Sequence, residues 1–231
     1  MRTIGLIGGM SWESSLEYYR VINRAVRERL GGLHSAKCMM VSVDFAEVAS
    51  LQLVARWNEL AEHMTFAARA AERGGADLVL ICSNTMHRVA DEVESGIGIP
   101  LLHIVDAIAG QVAAAGIHRI GLLGTRYTME DAVYKSRLSE RHGMAVLVPE
   151  AADMDDVHRI IFDELCVGVI EDDSRARLIA ITERLVQAGS EGVVLGCTEL
   201  GLALTASDAA VQLFDSTEIH ALAAVDAALA S

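Results

Sequence analysis

Short apolar runs alternate along the chain with longer stretches in which apolar residues recur every three or four positions. Residues 3–8, Thr-Ile-Gly-Leu-Ile-Gly, read as a buried strand, Gly8-Gly9-Met10-Ser11 as a turn, and residues 12–30 as a helix. A second strand is expected over 37–45, with Asp44 near its end, then a helix over 57–73 and a third strand over 78–81. The turn Cys82-Ser83-Asn84-Thr85 leads into a helix over 86–93, and a crossover begins at Pro100. The second half opens on the strand Ile120-Gly121-Leu122-Leu123-Gly124-Thr125 and continues with helices over 155–166 and 174–188. The run Gly192-Val193-Val194-Leu195 then empties into Gly196-Cys197-Thr198-Glu199. A last strand over 211–216 and a closing helix over 219–229 finish the chain. Continuous apolar strands alternating with helices predict an α/β protein with mostly parallel sheets covered on both faces.

The halves repeat one another. Residues 120–125 lie on residues 4–9 at an offset of 116, and residues 189–199 lie on 75–85 at an offset of 114 without a gap. In that register Ser83 falls on Cys197. Two consistent offsets point to an internal duplication, giving two pseudo-symmetric βα domains: 1–103 with 213–231, and 104–212. The first domain takes the C-terminus because the closing strand and helix, 211–216 and 219–229, resemble 101–109. One strand-end motif from each domain is expected to face a shared interdomain cleft, a common place for ligands. Gly5-x-x-Gly8-Gly9 reads as a tight strand-to-helix turn. It lacks the GxGxxG spacing and the lysine of a phosphate loop.

Composition narrows the partners. Hydrophobic residues make up 52% of the 231, enough for a substantial core, and the formal net charge is −13. That balance argues against nucleic acid or an anionic membrane, both of which need a basic surface. The start runs straight into a strand, leaving no room for a signal peptide. No apolar run is long enough to span a bilayer. Cys38, Cys82, Cys166 and Cys197 show no zinc-ligand spacing, so they are expected to be free thiols in a reducing cytoplasm, with no metal bound.

Taken together, Gly8-Gly9-Met10-Ser11, Ser83-Asn84-Thr85, Leu123-Gly124-Thr125 with Tyr127-Thr128-Met129, and Gly196-Cys197-Thr198-Glu199 resemble the aspartate/glutamate racemase family over nearly the whole length. The resemblance implies cofactor-independent amino-acid racemisation by a two-domain, usually dimeric protein. It also implies two-base proton transfer at Cα between a Cys in Cys-Asn-Thr and a Cys in Gly-Cys-Thr-Glu. Two departures stand out. Ser83 replaces the first thiol. The Arg and Lys with which aspartate racemases of the family grip a side-chain carboxylate have no counterpart in Glu47-Val48-Ala49-Ser50-Leu51-Gln52 or Asp163-Glu164-Leu165-Cys166. Gln52 is the nearest polar group, so neutral or polar side chains join aspartate and glutamate as possible substrates.

The residues carry the same chemistry. An α-proton is a very weak acid, and a thiol, with a free pKa of about 8.5 that a strand end or helix N-terminus can lower, supplies a soft base. Cys197 is the expected base and Ser83 the proton donor on the opposite face, which predicts slow turnover or a bias toward one enantiomer as substrate; the family resemblance, in which the second-half thiol generally faces the L-substrate, implies the direction L to D. Cys82, on the other side of its strand, is expected in the core. Backbone N–H groups at Asn84-Thr85 and Thr198-Glu199, with the Asn84, Thr85 and Thr198 side chains, can hold the substrate carboxylate. Met10, Gln52 and Thr125 complete the binding candidates. Glu199 has a second reading as the cap of the next helix. His87 reads equally well as a helix-packing residue or a site residue, and His103 and His220 follow strands. Pyridoxal phosphate needs a lysine, and the chain has only Lys37 and Lys135, neither in a phosphate-binding context. The competing functions are a single-cysteine decarboxylase of the wider superfamily, a non-catalytic amino-acid-binding protein and, more distantly, a cysteine hydrolase.

Overall fold

In the computed structural model, which describes residues 1–230, the apolar runs become strands of two parallel sheets. The first half comprises β1 (Ile4–Gly8), α1 (Trp12–Leu30), β2 (Cys38–Ser42), α2 (Phe45–Leu53), α3 (Trp57–Arg73), β3 (Leu78–Ile81) and α4 (Ala90–Ser95). The second comprises α5 (Ile104–Ala114), β4 (Arg119–Gly124), α6 (Arg126–Glu130), α7 (Ala132–Ser136), β5 (Ala145–Leu147), α8 (Ala151–Asp163), α9 (Asp172–Gln187), β6 (Gly192–Gly196), α10 (Leu200–Ala203), β7 (Gln212–Asp215) and α11 (Ser216–Leu229). Contacts divide the chain into one unit of Met1–Ile104 with the chain from His220 onward, and another of Val105–Ile219. Among the described residues no helix is long and apolar enough to cross a membrane.

Alternation along the strands of the first unit shows why they read as unbroken apolar runs. Ile7, Val79 and Ile81 join one core cluster with Leu60, Met64 and Met86. Ile4, Leu6, Leu78, Leu80 and Cys82 join another with Tyr18, Ile22 and Val225. Successive side chains point to opposite faces, and in β1 and β3 both faces are covered, so no position in those two strands is left for a polar residue. The second unit gathers Leu123, Val193 and Leu195 with Val157, Ile160, Leu178 and Ile181 in the same manner.

The duplication holds at the level of register. β1 lies between β2 and β3, and β4 lies between β5 and β6. Ile4 pairs with Leu78, and Ile120 pairs with Gly192, the residues that the offsets of 116 and 114 make equivalent. A fourth strand position follows in each unit. In the second it is β7, where Val193 pairs with Leu213. In the first it is a single parallel bridge, Val79 to Leu101. The likeness of the 213 region to the 101 region is therefore a likeness of position. Hydrogen bonding to β6 puts Gln212–Asp215 in the second sheet and contacts keep the chain through Ile219 with the second unit, so residues 213–219 do not belong to the first as their resemblance to the 101 region predicts, and only the chain from His220 onward returns.

Local chemistry sets several boundaries. Ser11 caps α1, Glu13 lies in its first turn and Arg27 and Arg29 in its last, all favourable to the helix dipole. The strand expected to run through residue 45 ends at Ser42. The Asp44 carboxylate accepts from the Ala46 N–H at 3.0 Å and starts α2, a helix the apolar pattern did not disclose. Residues 86–93 begin as a 3-10 turn, Thr85–Val89, before α4.

α11 closes the first unit through a buried histidine. The Tyr18 hydroxyl lies 2.8 Å from His220 Nδ1, and His220 Nε2 lies 2.8 Å from the Leu102 carbonyl. A carbonyl only accepts, so Nε2 carries the proton and Nδ1 accepts from Tyr18. The ring is wholly buried, and burial pulls its pKa down to about 4. A histidine that stays neutral when folded but charges near 6.5 when unfolded stabilises the fold above pH 6.5, and that stability is lost as pH falls toward 4. Urea unfolding followed from pH 7 to pH 4 is expected to show a loss of up to about 3 kcal/mol from this group. In His220→Gln, which has no proton to gain, that part of the slope should vanish.

Candidate active site

The C-terminal ends of β1 and β3 meet in the first unit. The turn after β1 is closed by hydrogen bonds within the chain: Gly9 N–H donates to Ser15 Oγ at 2.7 Å, and Ser15 Oγ donates to the Ser11 carbonyl at 3.0 Å. Gly9 has φ +94°, and a Cβ there would collide with the Val43 carbonyl, so the turn needs glycine. It is a tight strand-to-helix turn, with Met10 buried beyond it.

After β3, Cys82 N–H donates to the Ile7 carbonyl at 2.9 Å, and Ser83, Asn84 and Thr85 form the turn into the 3-10 segment. Cys82 lies in the core on the α1 and α11 side, where burial pushes its thiol up. Ser83 follows at 9% exposure. Its hydroxyl is the acceptor for Met86 N–H at only 3.5 Å, whereas its carbonyl lies 2.7 Å from His87 Nδ1. Gln52, at 4% exposure, comes to this turn from α2 and donates to Met86 Sδ at 3.2 Å. Ser83, Asn84, Thr85, Gln52 and Met10 are thus all buried residues of one unit, and Gln52 and Met10 each touch the packing around Met86.

The second unit repeats the layout with different chemistry. Gly124 and Gly196 end the neighbouring strands β4 and β6. A Cβ on Gly124 would lie 2.8 Å from the Gly196 carbonyl, and one on Gly196 would lie 2.9 Å from the Leu123 carbonyl. This close approach sets Thr125 and Cys197 at adjacent strand ends. The Thr125 hydroxyl caps α6, accepting from Thr128 N–H at 3.3 Å. Cys197 Sγ donates to Glu199 Oε2 at 3.0 Å, and the Thr198 hydroxyl donates to the same oxygen at 2.6 Å. Glu199 is 2% exposed and stands at the N-cap position of α10, with no side-chain capping hydrogen bond.

That arrangement sets the direction of the Cys197 pKa. A strand end or helix N-terminus can lower a thiol pKa. Burial first, and then the neighbouring Glu199 carboxylate, hold the thiol well above its ordinary value. Cys197 is therefore a protonated thiol resting on a carboxylate, a donor–acceptor pair poised to exchange one proton.

The histidines resolve differently. His87 is 2% exposed and hydrogen-bonded on both ring nitrogens, with Ile104 N–H donating to Nε2 at 3.1 Å. His103 lies tilted against it and His220 edge-on, at centroid distances of 4.6 and 5.5 Å. The four-residue spacing from Ser83 to His87 was the only signal in the sequence that could have revealed their contact. Among the described residues no group of three or more His, Cys, Asp or Glu side chains is arranged to hold a metal ion.

Comparison with known proteins points one way. A family model described as Asp/Glu/Hydantoin racemase matches residues 7–224. The chain is 49% identical to a candidate Asp/Glu racemase from Yersinia pestis; the match covers all of both chains, with a TM-score of 0.92. An aspartate racemase homologue from Pyrococcus horikoshii is 35% identical over 99% of each chain, with a TM-score of 0.85. The broad specificity amino-acid racemase RacX of Bacillus subtilis (strain 168) is 22% identical over 75% of this chain and 74% of its own length.

The raised Cys197 pKa is open to direct measurement. Alkylation of Cys197 by iodoacetamide, located by peptide mass, should be slow at neutral pH and rise only at strongly alkaline pH. Glu199→Gln removes the neighbouring charge, so the rate profile should move to lower pH. An unchanged profile would mean that the carboxylate does not govern the thiol.

Proposed function

The chain belongs to the Asp/Glu/Hydantoin racemase family and is an isomerase of the racemase type, and from that premise we propose that it moves the Cα proton of an amino acid between two faces without pyridoxal phosphate. Cys197 serves one face and Ser83 the other. The hydrogen bond from Cys197 to Glu199 carries this reading.

A buried thiol with a raised pKa looks at first like a poor base. The site, however, already contains one negative charge. Passing the proton from Sγ to Glu199 Oε2 relocates that charge over 3.0 Å and creates no new one. The Thr198 hydroxyl, donating to the same oxygen, keeps the charge on the carboxylate while the site is empty. A substrate ammonium nearby compensates the negative charge of the thiolate–acid form. The thiolate then takes the Cα proton of the L-enantiomer. A proton from the Ser83 side completes inversion, and Ser83 recovers its own proton from water, since an alkoxide is too basic to persist. Glu199 returns its proton to solvent, which balances the cycle.

Asn84, Thr85 and Thr198, with the adjoining N–H groups, serve the substrate carboxylate and the developing enolate charge. Gln52 offers a neutral group for the side chain, which extends the substrates from aspartate and glutamate to polar amino acids. The four free thiols fit a reducing cytoplasm, and the working form is taken as a homodimer. Sedimentation as a monomer under turnover conditions would remove that last element.

The decisive experiment follows the purified protein with L- and D-amino acids in heavy water, with no cofactor added. Wild type should exchange Cα hydrogen and racemise, with kcat higher from L than from D. Because a racemisation has an equilibrium constant of one, kcat/KM must be equal in the two directions. Cys197→Ala should lose exchange and racemisation together, by about 10²–10⁴. Ser83→Ala should keep exchange of the L-substrate with retention yet lose inversion, and Ser83→Cys should raise turnover, most with D-substrate. Wild type that exchanges no amino acid, or that instead releases CO2 from malonates, would overturn the reading.

A further inference from the structure

We propose that His87 is a positioning residue that fixes the peptide plane between Ser83 and Asn84, so that inversion depends on it while exchange on the Cys197 side does not. The proposal rests on the assignment of Ser83 to the second face.

The hydrogen bonds determine the state of the ring. The Ser83 carbonyl can only accept, so His87 Nδ1, 2.7 Å away, carries a proton. Ile104 N–H can only donate, so Nε2 is bare. His87 is thus a neutral Nδ1–H tautomer with both nitrogens committed to backbone groups. Neither nitrogen bonds to Ser83 Oγ, so the ring is not the proton shuttle for that hydroxyl. Its effect must pass through the main chain.

That route matters because the side chain is weakly held. The hydrogen bond to Ser83 Oγ from Met86 N–H is at the distance limit, 3.5 Å, whereas the carbonyl is gripped at 2.7 Å. In a trans peptide the carbonyl and the following N–H point in opposite directions. Holding the Ser83 carbonyl on the imidazole therefore aims the Asn84 N–H away from it and sets the direction of the Ser83 Cα–Cβ bond. The ring is itself immobilised. It is 2% exposed, lies against His103 and His220, and is tied to Ile104 at the start of α5. His220 is in turn clamped by Tyr18 and Leu102. A strand-end turn, the crossover and α11 thus converge on one imidazole.

Two measurements test this. In the first, His87→Asn, His87→Gln and His87→Leu are made in the full chain, and the ratio of inversion to retained exchange is followed for an L-substrate in heavy water. Asn places an N–H where Nδ1 stands, so its ratio should stay within about threefold of wild type. Gln and Leu lose the bond to Ser83, and their ratio should fall about tenfold or more, as small misplacements of reacting groups do. The ratio is internal to folded molecules, so loss of folded protein cancels from it. In a Ser83→Ala background the same substitutions should leave the ratio unmoved. Leu performing as well as Asn, or all variants losing exchange and inversion in equal proportion, would overturn the proposal. The second measurement needs no variant: nitrogen NMR of wild type should show His87 protonated at Nδ1 and bare at Nε2 across the pH range of activity. Protonation at Nε2 would overturn the proposal even if every variant failed to fold. Absence of any Cα exchange in wild type would count against the assigned reaction, and the NMR result would still decide the tautomer.

Discussion

Burial of the strands on both faces governs the rest of the molecule. In the first unit β1 and β3 send alternate side chains into two separate apolar clusters, so no residue within them can carry charge at reasonable cost. Polar chemistry is confined to the residues just past the last hydrogen bond of the strand, where the next helical turn supplies N–H groups. Ser83 and Cys197 occupy that position in units with the same strand order and register. Gly124 and Gly196 show how tight the position is, for a single methyl on either would meet a backbone carbonyl of the neighbouring strand.

The duplication preserved location but not acidity. Beyond Cys197 stands a buried carboxylate that accepts from both the thiol and Thr198. Beyond Ser83 stand an amide, a hydroxyl and, four residues on, an imidazole whose nitrogens are occupied by main-chain groups. One unit therefore holds a thiol proton within hydrogen-bond reach of a carboxylate, while the other holds a hydroxyl that accepts from Met86 N–H at 3.5 Å. Such a pair of ends is unequal by construction. The raised thiol pKa belongs to this picture, since the carboxylate that suppresses the free thiolate is also the group that can receive its proton.

Much of this was legible in the sequence, and each gap has a physical cause. Continuous apolar runs located β1, β3, β4 and β6 because double-sided burial leaves no polar interruption. The offsets of 116 and 114 made Ile4 equivalent to Ile120 and Leu78 to Gly192, and these equivalent residues pair in the same register, because insertions between strands do not alter register within them. α2 was hidden because its start depends on one Asp44 hydrogen bond, and Val-Asp-Phe continues an extended-looking run. The membership of β7 was misread because resemblance reports a place in a repeat, whereas hydrogen bonding decides which sheet is extended. The direction of the Cys197 shift was missed because a local motif does not show whether the following glutamate turns outward to cap a helix or back onto the sulfur.

Three histidines, His87 and His220 buried and His158 half-buried, add a constraint of their own. His220 accepts from Tyr18, His87 accepts from Ile104 N–H, and in the second unit His158 accepts from Arg126 N–H at 3.2 Å, beside the Thr125 turn. An accepting ring nitrogen is lost once it is protonated, so each contact exists only with a neutral imidazole. Burial lowers the pKa of His220 and, more than the opposing Asp155 raises it, that of His158, which preserves neutrality where the main chain depends on it. Rings that elsewhere would be the natural acid–base groups near neutral pH are here spent on holding backbone. Each ring is thereby committed to the main chain beside it: His87 at the Ser83 turn, His158 at the Thr125 turn and His220 at Leu102.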